Sequence, residues 1–192
     1  AGAVVIGALA VHVERPGEQA AAAVEAELPG GARPELGRLC VVVAAVHQVF
    51  PDPVPYIDHS GMIASFQKSN FFMSQWGLRS YLRSERPFMP TAIANRRPAF
   101  ILSNRPVLEP GRMAYRQLMP EDRELIEQAF VPFWGPIRVA GAQARLPEGG
   151  SIELRVPYPG RYRLESKETV LVGGQPHNSG DVIEIAETTV RL

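Results

Sequence analysis

Asp58, His59 and Ser60 bring a carboxylate, an imidazole and a hydroxyl together in consecutive positions, closed by Gly61. Those are the parts of acyl-transfer or hydrolytic chemistry: a nucleophile, a base and a group that orients the base. Consecutive residues of an extended segment point to alternate faces, so the three cannot relay a proton among themselves. A triad would need a partner from elsewhere, and the spacing of His12, His47 and His177 nominates none. The same residues also read as a turn, with Asp58 and Ser60 bonding their own backbone and Gly61 supplying a free φ. A second polar group, Ser103-Asn104-Arg105, closes the apolar run Ala99 to Leu102. If the two runs are parallel neighbouring strands, Asp58, His59, Ser103 and Asn104 meet on one rim, where α/β sheets place their sites. Lys68 lies in the same stretch, in a chain with two lysines and eighteen arginines. It either holds a phosphate or carboxylate or is simply solvated. No His, Cys or carboxylate spacing supplies three or four converging metal ligands. No Gly-rich phosphate loop accompanies the strands, so no metal, cofactor or nucleotide is expected.

An aromatic block follows the polar cluster: Phe66, Phe71, Phe72, Trp76 and Tyr81. From Ser74, which can cap a helix, Phe72, Trp76 and Leu82 fall near one face together with Met73 and Tyr81. Such spacing reads as core, because large aromatics carry much of the burial in a small domain. The alternative is a stacking platform for sugars, or a membrane-surface contact, with Trp76, Tyr81 and Arg79 at its rim.

The elements that position these residues follow from pattern. Asp52-Pro53-Val54-Pro55 predicts a turn and then extended chain. Val54, Tyr56 and Ile57 predict a short strand. A helix near residues 74 to 84, lying between this strand and the one at 99 to 104, predicts a βαβ-like unit. Before it, Pro16 to Leu28 predicts a helix stopped by Pro29-Gly30-Gly31. Glu35 to Phe50 has apolar residues at helical spacing (Leu36, Leu39, Val43, Val46, Phe50), and its length favours helix over the strand suggested by Val41-Val42-Val43. His47 then sits at the helix end, where the dipole favours an imidazolium. Leu118 to Phe130 predicts another helix, opened by Pro120 with Glu121 and Asp122 as dipole partners. Pro132 to Pro136 predicts a boundary. Beyond it the alternation of Ile152, Leu154 and Val156, of Tyr162 and Leu164, and the runs at 170–172, 182–185 and 190–192 predict short strands. His177 to Asp181 reads as a loop.

The chain has 192 residues and a formal net charge of zero. That length holds one ordinary domain or two small ones. The neutral balance argues against nucleic acid as a partner. Cys40, the single cysteine, has no internal disulfide partner and reads as a buried thiol. The apolar start, AGAVVIGALAVHV, is too short to span a bilayer alone. It reads either as a buried strand or helix, or as the last part of a transmembrane helix with His12, Glu14 and Arg15 at its exit. The expected fold class is α+β. Residues 1–15 form an apolar lead, 16–136 an α/β-like half with a few parallel strands and helices, and 137–192 a small antiparallel β-sandwich-like tail.

The order Tyr56-Ile57-Asp58, Trp76-Gly77, Pro98 to Asn104, Trp134-Gly135-Pro136 and the β tail resembles the soluble C-terminal region of multi-spanning bacterial glycosyltransferases similar to protein mannosyltransferases. The resemblance covers residues 30 to 192 and is one of pattern. It implies a fragment on the extracytoplasmic, periplasmic side of a membrane, with the membrane portion of a parent chain as partner and a lipid-linked sugar or glycan acceptor as ligand. The catalytic carboxylate of that family lies outside the region matched, so no catalytic residue carries over. The function expected is an accessory domain that contacts acceptor or glycan, or packs on the membrane portion, at Asp58, His59, Lys68, Trp76, Arg79, Ser103 and Asn104. Two alternatives stand beside it. One is a free-standing hydrolase with its site at Asp58, His59 and Asn104, helped by Lys68. The other is a saccharide-binding module.

Overall fold

The computed structural model describes residues 3–8, 34–70, 75–147 and 150–192. The helix expected at Pro16–Leu28, and Phe71, Phe72, Met73 and Ser74 of the aromatic block, lie outside them.

The fold is α+β. Its strands and helices are β1 (Ala3–Ala8), α1 (Pro34–Val49), β2 (Tyr56–Ile57), α2 (Gln75–Ser84), α3 (Met89–Arg96) and β3 (Phe100–Leu102). Two 3₁₀ turns follow, then α4 (Pro120–Ala129), β4 (Phe130–Trp134) and β5 (Ile137–Arg145). The remainder is all strand: β6 (Glu153–Arg155), β7 (Gly160–Ser166), β8 (Val170–Val172), β9 (Gln175–His177), β10 (Val182–Ile185) and β11 (Thr189–Arg191).

One mixed sheet organises the chain, in the order β10-β7-β1-β5-β3-β2, with β4 also paired to β5. β2 and β3 are parallel, Tyr56 opposite Phe100 and Ile57 opposite Ile101. This is the pairing expected for two apolar strands with helices between them. The composition change at residue 137 does not break the sheet. Trp134 and Ile137 face each other across a two-residue turn in which Gly135 has φ 50°, so Pro132–Pro136 is the corner of the β4–β5 hairpin. The start of β5 pairs with β3 and β4, and its end pairs with β1. The opening apolar run therefore contributes a strand at Ala3–Ala8, not a helix end, hydrogen-bonded to β5 on one side and β7 on the other. Its Val-Val-Ile sequence suits that place, since β-branched residues favour a pleated strand.

Period-two alternation divides the sheet's faces. Tyr56, Phe100, Leu102, Val131 and Val139 pack against Ala45, Val46 and Val49 of α1 and Phe50 just beyond its end. Ile57, Ile101, Phe130 and Ala140 pack against Tyr81, Met89, Ala92 and Ile126 of α2, α3 and α4. The stacked rings of Phe50, Phe100 and Tyr56, with centroids 4.8 and 5.2 Å apart, fill the first face. The inner stripe of α1 sits further along the helix than the apolar spacing implies. Leu39 is 43% exposed, and Cys40 is exposed, contrary to the buried thiol expected. The strand-rich part has its own core of Leu154, Val156, Tyr162, Leu164, Val170, Ile183 and Ile185. Tyr158 ties it to the α/β part by donating to the Pro98 carbonyl at 3.1 Å. Among the described residues no helix is long and apolar enough to cross a membrane.

Candidate functional site

β2 ends at Ile57, so Asp58 is the first residue beyond the carboxyl end of the strand. Its side chain is fully buried. Oδ1 accepts a hydrogen bond from the Gly61 amide at 2.8 Å and Oδ2 one from the Met62 amide at 2.7 Å. The Lys68 ammonium lies 3.3 Å from Oδ1. Asn70 holds the backbone of the same residue, accepting from the Asp58 amide at 3.3 Å and donating to its carbonyl at 2.7 Å. The carboxylate thus ties the turn at 58–62 to the returning segment at 68–70. That segment runs beside β2, with the Tyr56 amide bonded to Gln67 and the Ser69 amide bonded to the Tyr56 carbonyl. Gly61, at φ 72°, supplies the left-handed corner that a side chain would strain. The turn reading of Asp58 describes this geometry. A carboxylate with two backbone donors and a cation on it is a clamp, and a proton acceptor needs a lone pair facing substrate.

Lys68 has its ammonium 3.1 Å from the His59 carbonyl as well as on Asp58. Its side chain is only 11% exposed, so the solvated alternative does not describe it. Burial lowers its pKa, against the stabilising charge of Asp58. Burial also lowers the His59 pKa, and the nearby charges of Lys68 and Arg105 push the same way, with Asp58 opposing. His59 is therefore neutral at neutral pH. The sign of the linkage follows. Because the folded state disfavours charging His59, this residue's contribution to stability is complete above its unfolded value of about 6.5 and is lost as pH falls through the window below it. In an NMR titration His59 is expected to titrate below 6.5, and Lys68→Met, by removing the cation, to raise that midpoint. An unchanged midpoint in the variant would separate His59 from the Lys68 charge.

The parallel pairing does bring Asn104 to this rim. Its side-chain amide donates to Ser60 Oγ at 3.3 Å and packs on the Met62 sulfur, and its Oδ1 is buried with no hydrogen-bond partner. Ser103 does not join it. The Ser103 hydroxyl turns back to the Leu108 carbonyl at 2.7 Å and its amide bonds Pro136. Trp76 and Arg79 pair with each other on the outside of α2, the guanidinium 5.8 Å from the ring centroid. Trp76 is 75% exposed, so it belongs to a surface and not to the core. Tyr81 leaves the expected aromatic rim altogether. It is fully buried, donating to Asp122 Oδ2 at 2.5 Å and accepting from the Met119 amide at 2.7 Å.

Three arrangements went unread in the sequence. Asp122 is buried at the start of α4, yet it caps another helix: Oδ2 accepts from the Phe88 amide at 3.1 Å and Oδ1 from the Met89 amide at 2.8 Å, at the opening of α3. Asn70 is a backbone clamp with no sequence signal of its own. Ser65 Oγ lies 3.1 Å from His47 Nε2, where the Phe66 ring meets the imidazole edge-on. This serine–histidine pair is exposed, and no carboxylate bonds His47 among the described residues, so it lacks the group that fixes the tautomer of a catalytic base. Nor do the described residues contain a cluster of three His, Cys, Asp or Glu able to hold a metal ion.

Comparison with known protein families, with curated proteins and with solved structures finds no match.

Proposed function

We propose that this chain is a non-catalytic, extracytoplasmic accessory domain of a bacterial membrane glycosyltransferase of the protein mannosyltransferase type. It contacts the acceptor or glycan, or packs on the membrane portion of its parent chain. The observation that carries the non-catalytic half of this reading is the fate of Asp58, the best-placed acid in the sequence. It is buried under two backbone amides and Lys68 and has become part of the scaffold. The glycosyltransferase half is supported by the pattern of residues from Tyr56 to the β tail. The contact surface is the exposed Trp76 with Arg79 beside it, an aromatic face and a cation of the kind that stacks on a sugar ring.

The test is a fluorescence titration of the chain with neutral oligosaccharides, for which Trp76 is the exposed reporter. Saccharide is expected to quench the emission saturably, and Trp76→Ala, which removes that reporter and is followed by isothermal titration calorimetry, to weaken binding by about tenfold, the value of one aromatic contact of roughly 1–1.5 kcal/mol. The second reading, a hydrolase at the Asp58–His59–Asn104 rim, draws on the Asn104–Ser60 contact. Ester or glycoside turnover abolished by His59→Gln, in a variant that keeps its fold, would establish that reading and remove the first.

A further inference from the structure

A groove of about 630 Å³ opens on the far side of the Asp58–Lys68 clamp, between the returning segment at 68–70 and the approach to α3. Its charge is one-sided. Lys68, Arg86 and Arg96 line it, together with Thr91 and Asn95, and among the described residues no carboxylate does. Thr91, Ala92, Asn95 and Arg96 are spaced to form one face of α3. Glu85 is next to Arg86 in the chain but does not line the groove. Asp58 balances Lys68, so the uncompensated charge comes from Arg86 and Arg96. In a chain of zero net charge, two exposed arginines with no opposing acid among the described residues of the same concavity form a local anion trap.

We infer that this groove is a binding site for a phosphate ester. A guanidinium is a planar fork that matches two oxygens of a phosphate at once. Two such forks lining one groove, one from a loop and one from a helix, suit an anion with several equivalent oxygens better than a single carboxylate. The Thr91 hydroxyl and Asn95 amide, on the same helical face as Arg96, can donate to the remaining oxygens or to an adjoining hydroxyl. Both arginines are exposed, so replacing either is expected to leave the fold in place.

The experiment is an NMR titration of the chain with inorganic pyrophosphate, run beside co-sedimentation with vesicles of phosphatidylglycerol and of phosphatidylcholine. Pyrophosphate is expected to shift the amides of residues 68–70 and 84–96 saturably. Arg86→Ala and Arg96→Ala are each expected to weaken binding by about fivefold, the upper range for an exposed ionic contact, and the pair together by more than tenfold. Salt is expected to weaken it further. Binding of pyrophosphate without binding to vesicles assigns a soluble phosphate ester. Sedimentation with phosphatidylglycerol alone, lost in the double variant, assigns the phosphate of a lipid headgroup. A response to neither, or one unchanged in the double variant, overturns the site.

Discussion

Asp122→Ala is expected to lower the stability of the chain by about 3–5 kcal/mol, the range for removing one member of a buried, charge-assisted network. The Tyr81 hydroxyl and the Phe88 and Met89 amides all donate to this carboxylate, and all are buried. Alanine leaves the three donors without an acceptor, in a place water does not reach, and uncaps α3, whose own N-cap, Phe88, offers no side-chain acceptor. For a chain of this size the loss corresponds to a fall in Tm on the order of 10 °C. Tyr81→Phe removes one donor and orphans the Met119 amide, and is expected to cost about 1–3 kcal/mol. The double variant is expected to cost less than the sum, because both changes break the same bond. Urea denaturation followed by circular dichroism measures all three. A change below about 0.5 kcal/mol for Asp122→Ala, the range of an ordinary surface substitution, would mean that the carboxylate does not hold α3 to α4.

The pH dependence gives the network a separate signature. Burial raises the Asp122 pKa, with the hydrogen bonds from Tyr81, Met89 and Phe88 opposing it. A carboxyl whose folded pKa is raised contributes most below its unfolded value of about 3.9, and that contribution is lost as pH rises through the folded value. Asp122→Asn cannot titrate. The stability gap between the parent chain and this variant is therefore expected to narrow from about pH 4 upward, opposite in sign to the His59 effect, which is lost as pH falls.

Asp122 also marks where sequence reading stops. At the first turn of α4 its residue type announces a dipole partner, and that local assignment is physically sound. Nothing local shows that the side chain points inward to the start of a helix more than thirty residues earlier. Helix α3 was itself unread. It has eight residues, with prolines at 87 and 90 and few apolar positions, and its stability comes from tertiary contacts of Met89 and Ala92 with the core. The parallel β2–β3 pair was legible, because two short β-branched and aromatic runs separated by helix leave few other topologies. The opening apolar run leaves strand and helix both open, because a continuous apolar run has no period to distinguish the two. The spacing of Trp76 suits the core and an exposed rim alike, because spacing does not tell which side of a short helix the sheet covers.

The same distinction between local type and tertiary role decides what Asp58 does. Asp58→Ala is expected to cost about 3–5 kcal/mol, since it strands the Gly61 and Met62 amides and leaves Lys68, 11% exposed, without its counter-charge. Lys68→Ala leaves the carboxylate with its two amide donors and is expected to cost less, about 2–3 kcal/mol. Combining them is expected to recover about 1–3 kcal/mol relative to the sum, the coupling of a buried pair. Denaturation midpoints of the four proteins measure that coupling. Under the hydrolase reading the pattern differs. Asp58→Asn would keep its midpoint while turnover disappears, because a catalytic carboxylate serves the transition state and not the fold. A large stability loss with strong coupling to Lys68 identifies the pair as the clamp that shapes the 58–70 loop. In that case Asn104, His59 and Ser60 form a rim built on the clamp, and Asp58 itself is removed from any contact with a ligand.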